Sequence, residues 1–308
     1  MRARQTKVMV TAAVVIAGLL LTGCGTQDTT KKTGKAVRVT VVDDTGKKIT
    51  ITKAPERIVS LAPANTEILF ALGLGDKTVG VTTYCDYPAA ATEKQKIGDF
   101  MNPNIEMILS LKPDLVLATT GVQKGLVDAL EKLGTNVYVS DPKDINGVIS
   151  NITEIGKITG RGDAAQTVTN KMRVDLEEVK ERAKEVKTKP RVFYEVAYDP
   201  LYTGGKGTFV DNIVTIAGGI NIAGSAGNGY IMYNLEELIR QNPDVYLVVK
   251  GTMNDPGQLA ARPGYSGLSA VKSNRVYFMD DNLVSRPGPR ITKGLKKIAE
   301  IIHPTAGN

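Results

Sequence analysis

The sequence predicts an α/β fold of two Rossmann-like lobes, each with a mostly parallel central sheet, joined by one long rigid helix. Three observations predict this fold. Short β-rich runs alternate with amphipathic helical patterns, which is typical of parallel sheets covered by helices on both faces. One segment of the chain recurs 130 residues later, and an uninterrupted helical pattern lies between the two copies.

The β-rich runs fall into two groups that are separated by this helical pattern. In chain order they are 57–61, 78–81, 114–118, 136–139, 191–196, 244–249 and 275–279. Amphipathic helical patterns lie between them, for example at 124–133 and 235–241. The two groups predict an N-terminal lobe over 37–160 and a C-terminal lobe over 190–308, with a connecting helix over 161–189.

The connecting helix is predicted from apolar residues that recur at spacings of three and four. They are Ala165, Val168, Met172, Leu176, Val179, Ala183 and Val186. Neither Pro nor Gly interrupts the chain from Ala164 to Lys189, and a helix of that length would extend roughly 39 Å at about 1.5 Å per residue. A connector of this kind implies stiff lobes with little relative motion.

The internal repeat places one acidic residue at the same point of each half. The stretch that begins at Asn104 matches the stretch that begins at Asn234, and each contains a Pro-Asp pair that separates a helical pattern from a buried strand. Glu106 and Glu236 lie at equivalent positions in the first turn of the two helices. Acidic residues there stabilise a helix by up to about 1 kcal/mol. A symmetric pair of carboxylates could equally engage a two-fold symmetric partner, so the residues alone leave both interpretations open.

The first residues of the chain have the features of an export signal. Three basic residues precede an apolar run that is too short to cross a membrane, and the run closes on Leu-Thr-Gly-Cys at 21–24. This ending resembles a bacterial lipobox, which predicts a lipoprotein signal peptide over 1–23 and lipid attachment at Cys24. The polar residues 24–36 predict a flexible tether. We therefore expect a protein anchored by lipid on the extracytoplasmic face of the cell membrane.

Charge and composition exclude several functional classes. The net charge is +7, but leader and tether carry five of these charges, so the folded part is nearly neutral and nucleic-acid binding has no electrostatic support. His303 is the single histidine, which disfavours a metal site built on imidazole and carboxylate ligands. Neither a G-x-S-x-G motif nor a P-loop is present. The sequence predicts neither an enzyme nor a protein with its own cofactor or metal.

Several stretches together resemble one family. Residues 57–73, 79–88 and 111–116 are very similar to the vitamin-B12-binding proteins of ABC importers, within the wider group that binds cobalamin, haem and ferric siderophores. The resemblance implies that cobalamin or a related corrinoid is bound between the lobes as a transported ligand. It also implies a permease dimer with its ATPase subunits as the partner. Glu106 and Glu236 match the acids that dock onto basic pockets of such a permease.

Aromatic residues are concentrated in loops at the carboxyl ends of the predicted strands, where ligands bind in open α/β sheets. These residues are Tyr84, Tyr87, Phe100, Tyr198, Tyr202, Tyr230 and Tyr233. They predict a stacking wall for a flat, partly apolar ligand. Three aromatic residues inside regular elements are instead predicted to belong to the core, namely Phe70, Tyr246 and Phe278. By the resemblance, the residues that hold the corrin are Tyr84, Phe100, Tyr202 and Tyr230.

The same resemblance implies two polar ligand-binding residues and allows other ligands. By the resemblance, Asn282 and Arg286 lie near the side-chain amides of the corrin, although loop capping and surface charge explain them equally well. The chain has no Trp, which departs from the family pattern and leaves the ligand open. Haem binders of this group commonly present a Tyr at the position of Phe100, so haem is disfavoured.

A ferric siderophore is the other alternative, because such ligands call for several arginine residues in the cleft. The candidates are Arg262, Arg286 and Arg290. Cys85 is a lone thiol beside two tyrosines. We predict that it is a small buried loop residue, since free cysteine packs like an apolar side chain.

Overall fold

The computed structural model describes residues 38–250 and 259–304. The predicted signal peptide, the tether and Cys24 therefore lie outside the described residues. The strands are β1 Val39–Val42, β2 Lys48–Ile51, β3 Ile58–Ser60, β4 Thr78–Val81, β5 Gln95–Lys96, β6 Leu115–Ala118, β7 Val137–Val139, β8 Arg191–Ala197, β9 Tyr202–Gly204, β10 Ile220–Asn221, β11 Tyr230–Met232, β12 Val245–Lys250 and β13 Val276–Asp280. The α-helices are α1 Pro63–Ala71, α2 Ile105–Ser110, α3 Lys124–Lys132, α4 Ile145–Ile158, α5 Gly162–Lys184, α6 Phe209–Ile216, α7 Leu235–Gln241, α8 Ser269–Lys272, α9 Asp281–Val284 and α10 Ile291–Ile302.

The first lobe is built on a parallel sheet of five strands in the order β5-β4-β3-β6-β7. An antiparallel hairpin of β1 and β2 precedes it, which the sequence patterns did not predict. The hairpin turn is fixed to the end of β7, because the backbone N–H of Asp44 donates to the carbonyl oxygen of Val139 at 3.1 Å. Because the five strands of the sheet are parallel, their carboxyl ends all lie at the same edge.

The second lobe has a mixed sheet in the order β11-β9-β8-β12-β13, with β10 paired to β8. Strands β8, β10, β12 and β13 are parallel, whereas β9 and β11 form an antiparallel ribbon on one side. At the other side β13 is the edge strand among the described strands, and Phe278 on it is 51% exposed. The prediction that Phe278 belongs to the core is therefore wrong, because an edge strand has a neighbour on one side only.

Alternating residues of the parallel strands divide the apolar interior into an inner core and two outer cores. In β3, Ile58 belongs to the inner core and Val59 to the outer core of the first lobe. In β12, Leu247 belongs to the same inner core and Tyr246 to the outer core of the second lobe. Since successive side chains of a strand point to opposite faces, the inner core is one continuous packing region that both lobes share.

Helix α5 forms part of this inner core and lies between the two sheets in the sequence. It contributes Ala165, Met172, Leu176 and Val179, which are four of the seven residues of the predicted apolar stripe. The helix ends at Lys184, five residues before the predicted end. At about 1.5 Å per residue its 23 residues extend roughly 34 Å. Helices α4 and α10 pack against it, and this arrangement supports stiff lobes.

The internal repeat is also a repeat of local structure. Asn104 and Asn234 are the N-caps of α2 and α7, and each side-chain oxygen accepts from a backbone N–H in the first turn, at 2.9 and 2.7 Å. The residues before the two Pro-Asp pairs, Lys112 and Asn242, have φ angles of 47° and 45°. Two non-glycine residues in this uncommon left-handed conformation at matching positions indicate that the two segments fold in the same way.

A second shared feature connects each repeat to the first strand, in chain order, of the main sheet in its lobe. The backbone N–H of Arg57 donates to the carboxylate of Asp114 at 3.0 Å, and the N–H of Arg191 donates to that of Asp244 at 2.8 Å. The same aspartates donate their N–H groups back to the arginine carbonyl oxygens at 2.9 and 2.8 Å. Both lobes therefore fix the register of two central strands with the same pair of residue types.

Candidate functional site

A cavity of about 290 Å³ opens between the two lobes. Its first-lobe lining includes Ala62, Tyr84, Phe100, Thr119 and Ser140, which follow β3, β4, β5, β6 and β7 respectively. All five parallel strands of the first lobe thus contribute through their carboxyl ends, as expected for a ligand site in an open α/β sheet. The opposite wall comes from α9 and the segment behind it, with Asp281, Asn282, Ser285, Arg286 and Pro287.

Four of the six predicted ligand-binding residues line this cavity together. Tyr84 and Phe100 come from the first lobe, and Asn282 and Arg286 come from the second. The side-chain amide of Asn282 makes no hydrogen bond within the described part of the chain. Its backbone N–H instead donates to the side chain of Asp280 at 3.0 Å. The amide is therefore available to a ligand, whereas the loop-capping interpretation would require it to have a partner.

The other two predicted residues, Tyr202 and Tyr230, lie outside the cavity lining on the ribbon of β9 and β11. Tyr202 is opposite Met232 in the antiparallel pair, and Tyr230 is two residues from Met232, so all three side chains share one face. Tyr230 is 55% exposed and Met232 is 67% exposed. The ribbon therefore presents an apolar face to solvent.

Tyr230 has a charged neighbour in the first lobe. The pKa of the Tyr230 hydroxyl is raised above its ordinary value, first by burial and then by the carboxylate of Asp141. Asp141 follows Ser140 of the cavity lining. Tyr230 therefore lies near Asp141 of the first lobe but outside the lining of the cavity.

The remaining loop aromatic residues have structural partners. Tyr87 lies under the guanidinium of Arg290, with 3.7 Å from Cζ to the ring centroid. Tyr198 is stacked in the same way under Arg262, at 3.5 Å. Tyr233 is buried in the outer core of the second lobe. The predicted stacking wall of seven aromatic residues is therefore smaller, since these three rings are already occupied by the protein.

A network of two acids and two arginines connects the lobes along one side of the cavity. Glu67 of α1 is 3% exposed. Its carboxylate accepts two hydrogen bonds from Arg290, at 2.8 and 2.6 Å. Arg286 contacts the same carboxylate at 3.5 Å and donates to Asp86 at 2.5 Å. We call Glu67, Asp86, Arg286 and Arg290 the acid–base wall. The acid–base wall pairs two acidic residues of the first lobe with two arginine residues of the second lobe.

The third siderophore candidate, Arg262, is also paired with a carboxylate. It is buried in the second lobe, and its guanidinium donates to Glu195 at 2.7 and 3.2 Å. The hydroxyl of Tyr246 donates to the same carboxylate at 2.7 Å. A buried guanidinium held in this way contributes to the structure of the lobe, and a ligand could reach it only by breaking the ion pair.

Cys85 is buried directly behind the cavity loop. Its sulfur lies 3.1 Å from the hydroxyl of Thr66 and 3.2 Å from that of Thr82. The prediction of a small buried loop residue is confirmed. Among residues 38–250 and 259–304, no group of three or more His, Cys, Asp and Glu side chains is arranged to hold a metal ion.

Glu106 and Glu236 are exposed and equivalent in the two lobes. Neither carboxylate forms an ion pair with any residue that the structure describes. The neighbouring Glu237 differs, because it pairs with Arg240 of the same helix at 2.6 Å. The two acids of the repeat are therefore accessible to a partner, and their carboxylates make no hydrogen bond to any described residue.

Two lobes, a long helix between them and a cavity at their junction define a two-lobed solute-binding protein. Residues 58–283 match the family described as periplasmic binding protein. The chain belongs to this family.

Three known proteins show how close this relationship is. The chain is 37% identical over 305 residues to the ABC transporter substrate-binding lipoprotein YvrC of Bacillus subtilis, covering 95% of this chain and 96% of the relative. A crystal structure described as a possible iron-binding (periplasmic solute-binding) protein from Staphylococcus epidermidis matches with a TM-score of 0.70 and 31% identity, over 82% of this chain and 100% of that chain. The periplasmic vitamin B12-binding protein BtuF of Vibrio cholerae matches with a TM-score of 0.71 and 28% identity, over 80% and 96%.

These comparisons confirm the resemblance and the fold that the sequence predicts. The relatives are substrate-binding transport proteins, so this chain is a binding protein and not an enzyme. Their names refer to different ligands, iron for the Staphylococcus epidermidis protein and vitamin B12 for the Vibrio cholerae protein. Among the described residues, no helix is long and apolar enough to span a membrane.

Proposed function

We propose that this protein is the extracytoplasmic substrate-binding component of an ABC importer and that its ligand is cobalamin or a related corrinoid. It captures the ligand between the lobes and delivers it to a permease dimer that works with ATPase subunits. The relationship to a substrate-binding lipoprotein of an ABC transporter supports the transport role. The similarity to a vitamin B12-binding protein supports the ligand class.

The observation that carries the choice of ligand is the chemistry of the cavity lining. Tyr84, Phe100 and Met101 provide apolar and aromatic surface, and Asn282 provides an amide without a partner among the described residues. The positive charge of Arg286 is compensated by carboxylates. A corrinoid has a flat ring with many uncharged amide side chains, so it fits aromatic stacking and neutral hydrogen bonding.

The alternative ligands fit this lining less well. A ferric siderophore with an anionic iron centre needs unpaired arginine residues, whereas Arg262, Arg286 and Arg290 are all paired with carboxylates. Haem needs an axial ligand, and Phe100 cannot bind iron. Tyr84 is the nearest substitute, because it is 40% exposed and lines the cavity. A ferric siderophore remains the second candidate, since a structural relative is described as possibly iron-binding.

Binding measurements on the purified protein test the choice of ligand. Isothermal titration calorimetry with cyanocobalamin, haemin and a ferric catecholate siderophore should show tight binding of cyanocobalamin and weak or absent binding of the other two. The visible spectrum of the protein purified from its source would identify a ligand that is carried through purification. Tight binding of haemin or the siderophore, with no heat from cyanocobalamin, would reject the corrinoid.

Two further proposals concern delivery. Glu106 and Glu236 are proposed to dock onto basic pockets of the two permease subunits, one carboxylate to each. Their exposure, their lack of an ion pair with described residues and their equivalence in the repeat support this role. Lipid attachment at Cys24 is proposed to hold the protein at the membrane. A Cys24→Ala protein that remains in the membrane fraction after a high-salt wash would contradict the anchor.

A further inference from the structure

The acid–base wall combines a structural ion-pair network with the lining of the cavity. Arg286 is at once a member of the network and a lining residue of the cavity. Its side chain and that of Arg290 are 16% exposed, and both belong to the second lobe. The acids that compensate them, Glu67 and Asp86, belong to the first lobe. The charge that a ligand meets at this wall is therefore decided by residues from across the cavity.

We propose that Glu67 and Asp86 are specificity-determining residues that neutralise Arg286 and Arg290, so that the cavity disfavours ligands with an anionic group at this wall. The proposal rests on the proposed function and deepens it, because it predicts that the bound compound carries amides and not carboxylates or catecholates on this side. The network contains two positive and two negative charges, so it presents no net charge to a ligand.

The geometry gives the reason why an anion cannot simply replace the acids. Glu67 holds Arg290 through two hydrogen bonds in a buried, desolvated position, where charge-assisted pairs are strong. The ring of Tyr87 covers one face of the same guanidinium. Arg286 is directed to Asp86 at 2.5 Å and also donates to the carbonyl oxygen of Tyr84 at 3.4 Å. An anionic ligand at Arg286 would lie beside a carboxylate, which costs binding free energy.

Asp86 is the member of the wall that can be changed with the smallest effect on folding. Its side chain is 53% exposed, and its hydrogen bond to Arg286 is the side-chain contact that holds it. Burial raises the pKa of Asp86, but the hydrogen bond and charge of Arg286 outweigh it, so that the pKa lies below its ordinary value. Asp86 is therefore ionised at neutral pH. Asp86→Asn removes its charge and keeps its size.

A pair of ligands that differ in one charge tests the proposal. Cyanocobalamin is compared with its monocarboxylic acids, in which one side-chain amide of the corrin is a carboxylate. Dissociation constants are measured by calorimetry for the original protein, Asp86→Asn and Glu67→Gln. The matched control is Glu181→Gln, which also removes one acid, since Glu181 is paired with Lys184 on the exposed side of α5.

The expected result is a change in the ratio of the two affinities. In Asp86→Asn, at least one monocarboxylic acid should gain roughly tenfold in affinity relative to cyanocobalamin at low salt, because Arg286 then has an uncompensated charge. The gain should decrease as salt is added. Glu181→Gln should leave the ratio unchanged. Glu67→Gln should shift it in the same direction if the variant remains folded by circular dichroism.

An unchanged ratio in Asp86→Asn, with normal cyanocobalamin binding by the original protein, would overturn the role of the wall. If the original protein binds no corrinoid, the proposed function fails. The role of the wall is then tested with haemin, which carries two anionic propionate groups. Stronger and salt-sensitive haemin binding by Asp86→Asn than by the original protein would still support the wall. Equal haemin binding by both proteins would reject it.

Discussion

Tyr84 and Phe100 bring two aromatic rings to the cavity from loops that follow neighbouring strands, β4 and β5. Neither ring is needed to fill a core, since Tyr84 is exposed and Phe100 is only partly buried. Their free faces are therefore available for stacking with a flat ligand, which contributes beyond the area that is buried.

We expect Tyr84→Ala to weaken cyanocobalamin binding by about 1 kcal/mol, or roughly fivefold, because one stacking contact and its buried area are lost. Calorimetry on the purified protein measures this change. Phe278→Ala is the control, because Phe278 is also an exposed aromatic residue, on β13 and outside the lining of this cavity. Equal affinities of the Tyr84→Ala and original proteins would remove Tyr84 from the binding site.

Single residues also show the limit of prediction from sequence. Tyr84 and Phe100 were predictable because the loop after a parallel strand has a known place in the fold. The pairing of Arg286 was not, because its partners Asp86 and Glu67 lie 200 and 219 residues away in the chain. Sequence patterns report periodicity over one element, and they contain no signal for an ion pair between two lobes.

At the scale of elements, α5 is fixed to α10 by a buried carboxylate. Asp175 accepts from Thr292 at 2.9 Å and pairs with Lys296 at 2.7 Å and with Lys171 at 3.3 Å. Burial raises the pKa of Asp175, but these hydrogen bonds outweigh it, so that the pKa lies below its ordinary value. The charged form of Asp175 therefore stabilises the contact between the connecting helix and the last helix.

We expect Asp175→Asn to lower the free energy of unfolding by about 1–3 kcal/mol at pH 7, because a charge-assisted network loses its charge. A carboxyl whose pKa is lowered on folding contributes its stability above the unfolded pKa of about 3.9, and the contribution is lost as pH falls through the folded pKa. The difference between the variant and the original protein should therefore shrink below about pH 4.

Urea denaturation followed by circular dichroism at pH 7 and at pH 3.5 measures the difference. The control is Glu178→Gln, since Glu178 is exposed and contacts Lys296 alone at 2.7 Å. A surface ion pair of this kind should change stability little. A loss in Asp175→Asn that is the same at both pH values would show that the charge of Asp175 does not stabilise the helix contact.

Strands with a clear apolar sequence pattern were predicted. Strands that are defined only by their pairing with a neighbouring strand were missed. The longer parallel strands were predicted because their buried residues form short apolar runs, such as 114–118 for β6. The two-residue parallel strands β5 and β10 were not predicted. The ribbon of β9 and β11 has only three residues in each strand, and Gly204 and Gly229 lie at its ends. Such short segments have no measurable period, and their strand character comes from the hydrogen bonds to each other.

For the whole molecule, the shared inner core determines how the protein can move. Apolar residues from both sheets, from α4, from α5 and from α10 pack in one region. Opening the cavity widely would expose part of this region to water, at about 25 cal/mol per Å² of apolar surface. The acid–base wall adds contacts between the lobes at the cavity itself. We infer that these contacts limit the relative motion of the lobes and keep the separation of the two repeated acids nearly constant.

A fixed separation is what a two-fold symmetric partner requires, and this gives the prediction for Glu106 and Glu236. Each carboxylate would pair with arginine residues of one permease subunit, and truncating one side of such a desolvated pair costs about 2–5 kcal/mol. Replacing both by Ala should therefore abolish ligand uptake by cells that depend on this protein. Each single replacement should reduce uptake less.

Ligand binding in solution should stay normal in the same variants, because neither acid lines the cavity. Glu237→Ala is the matched control, since Glu237 lies in the same first turn as Glu236 but is paired with Arg240. It should transport at the normal rate. Normal transport by the Glu106→Ala, Glu236→Ala double variant would show that the two acids serve only their helices. A double variant that also loses ligand affinity would show that the acids support the cavity and not the contact with the permease.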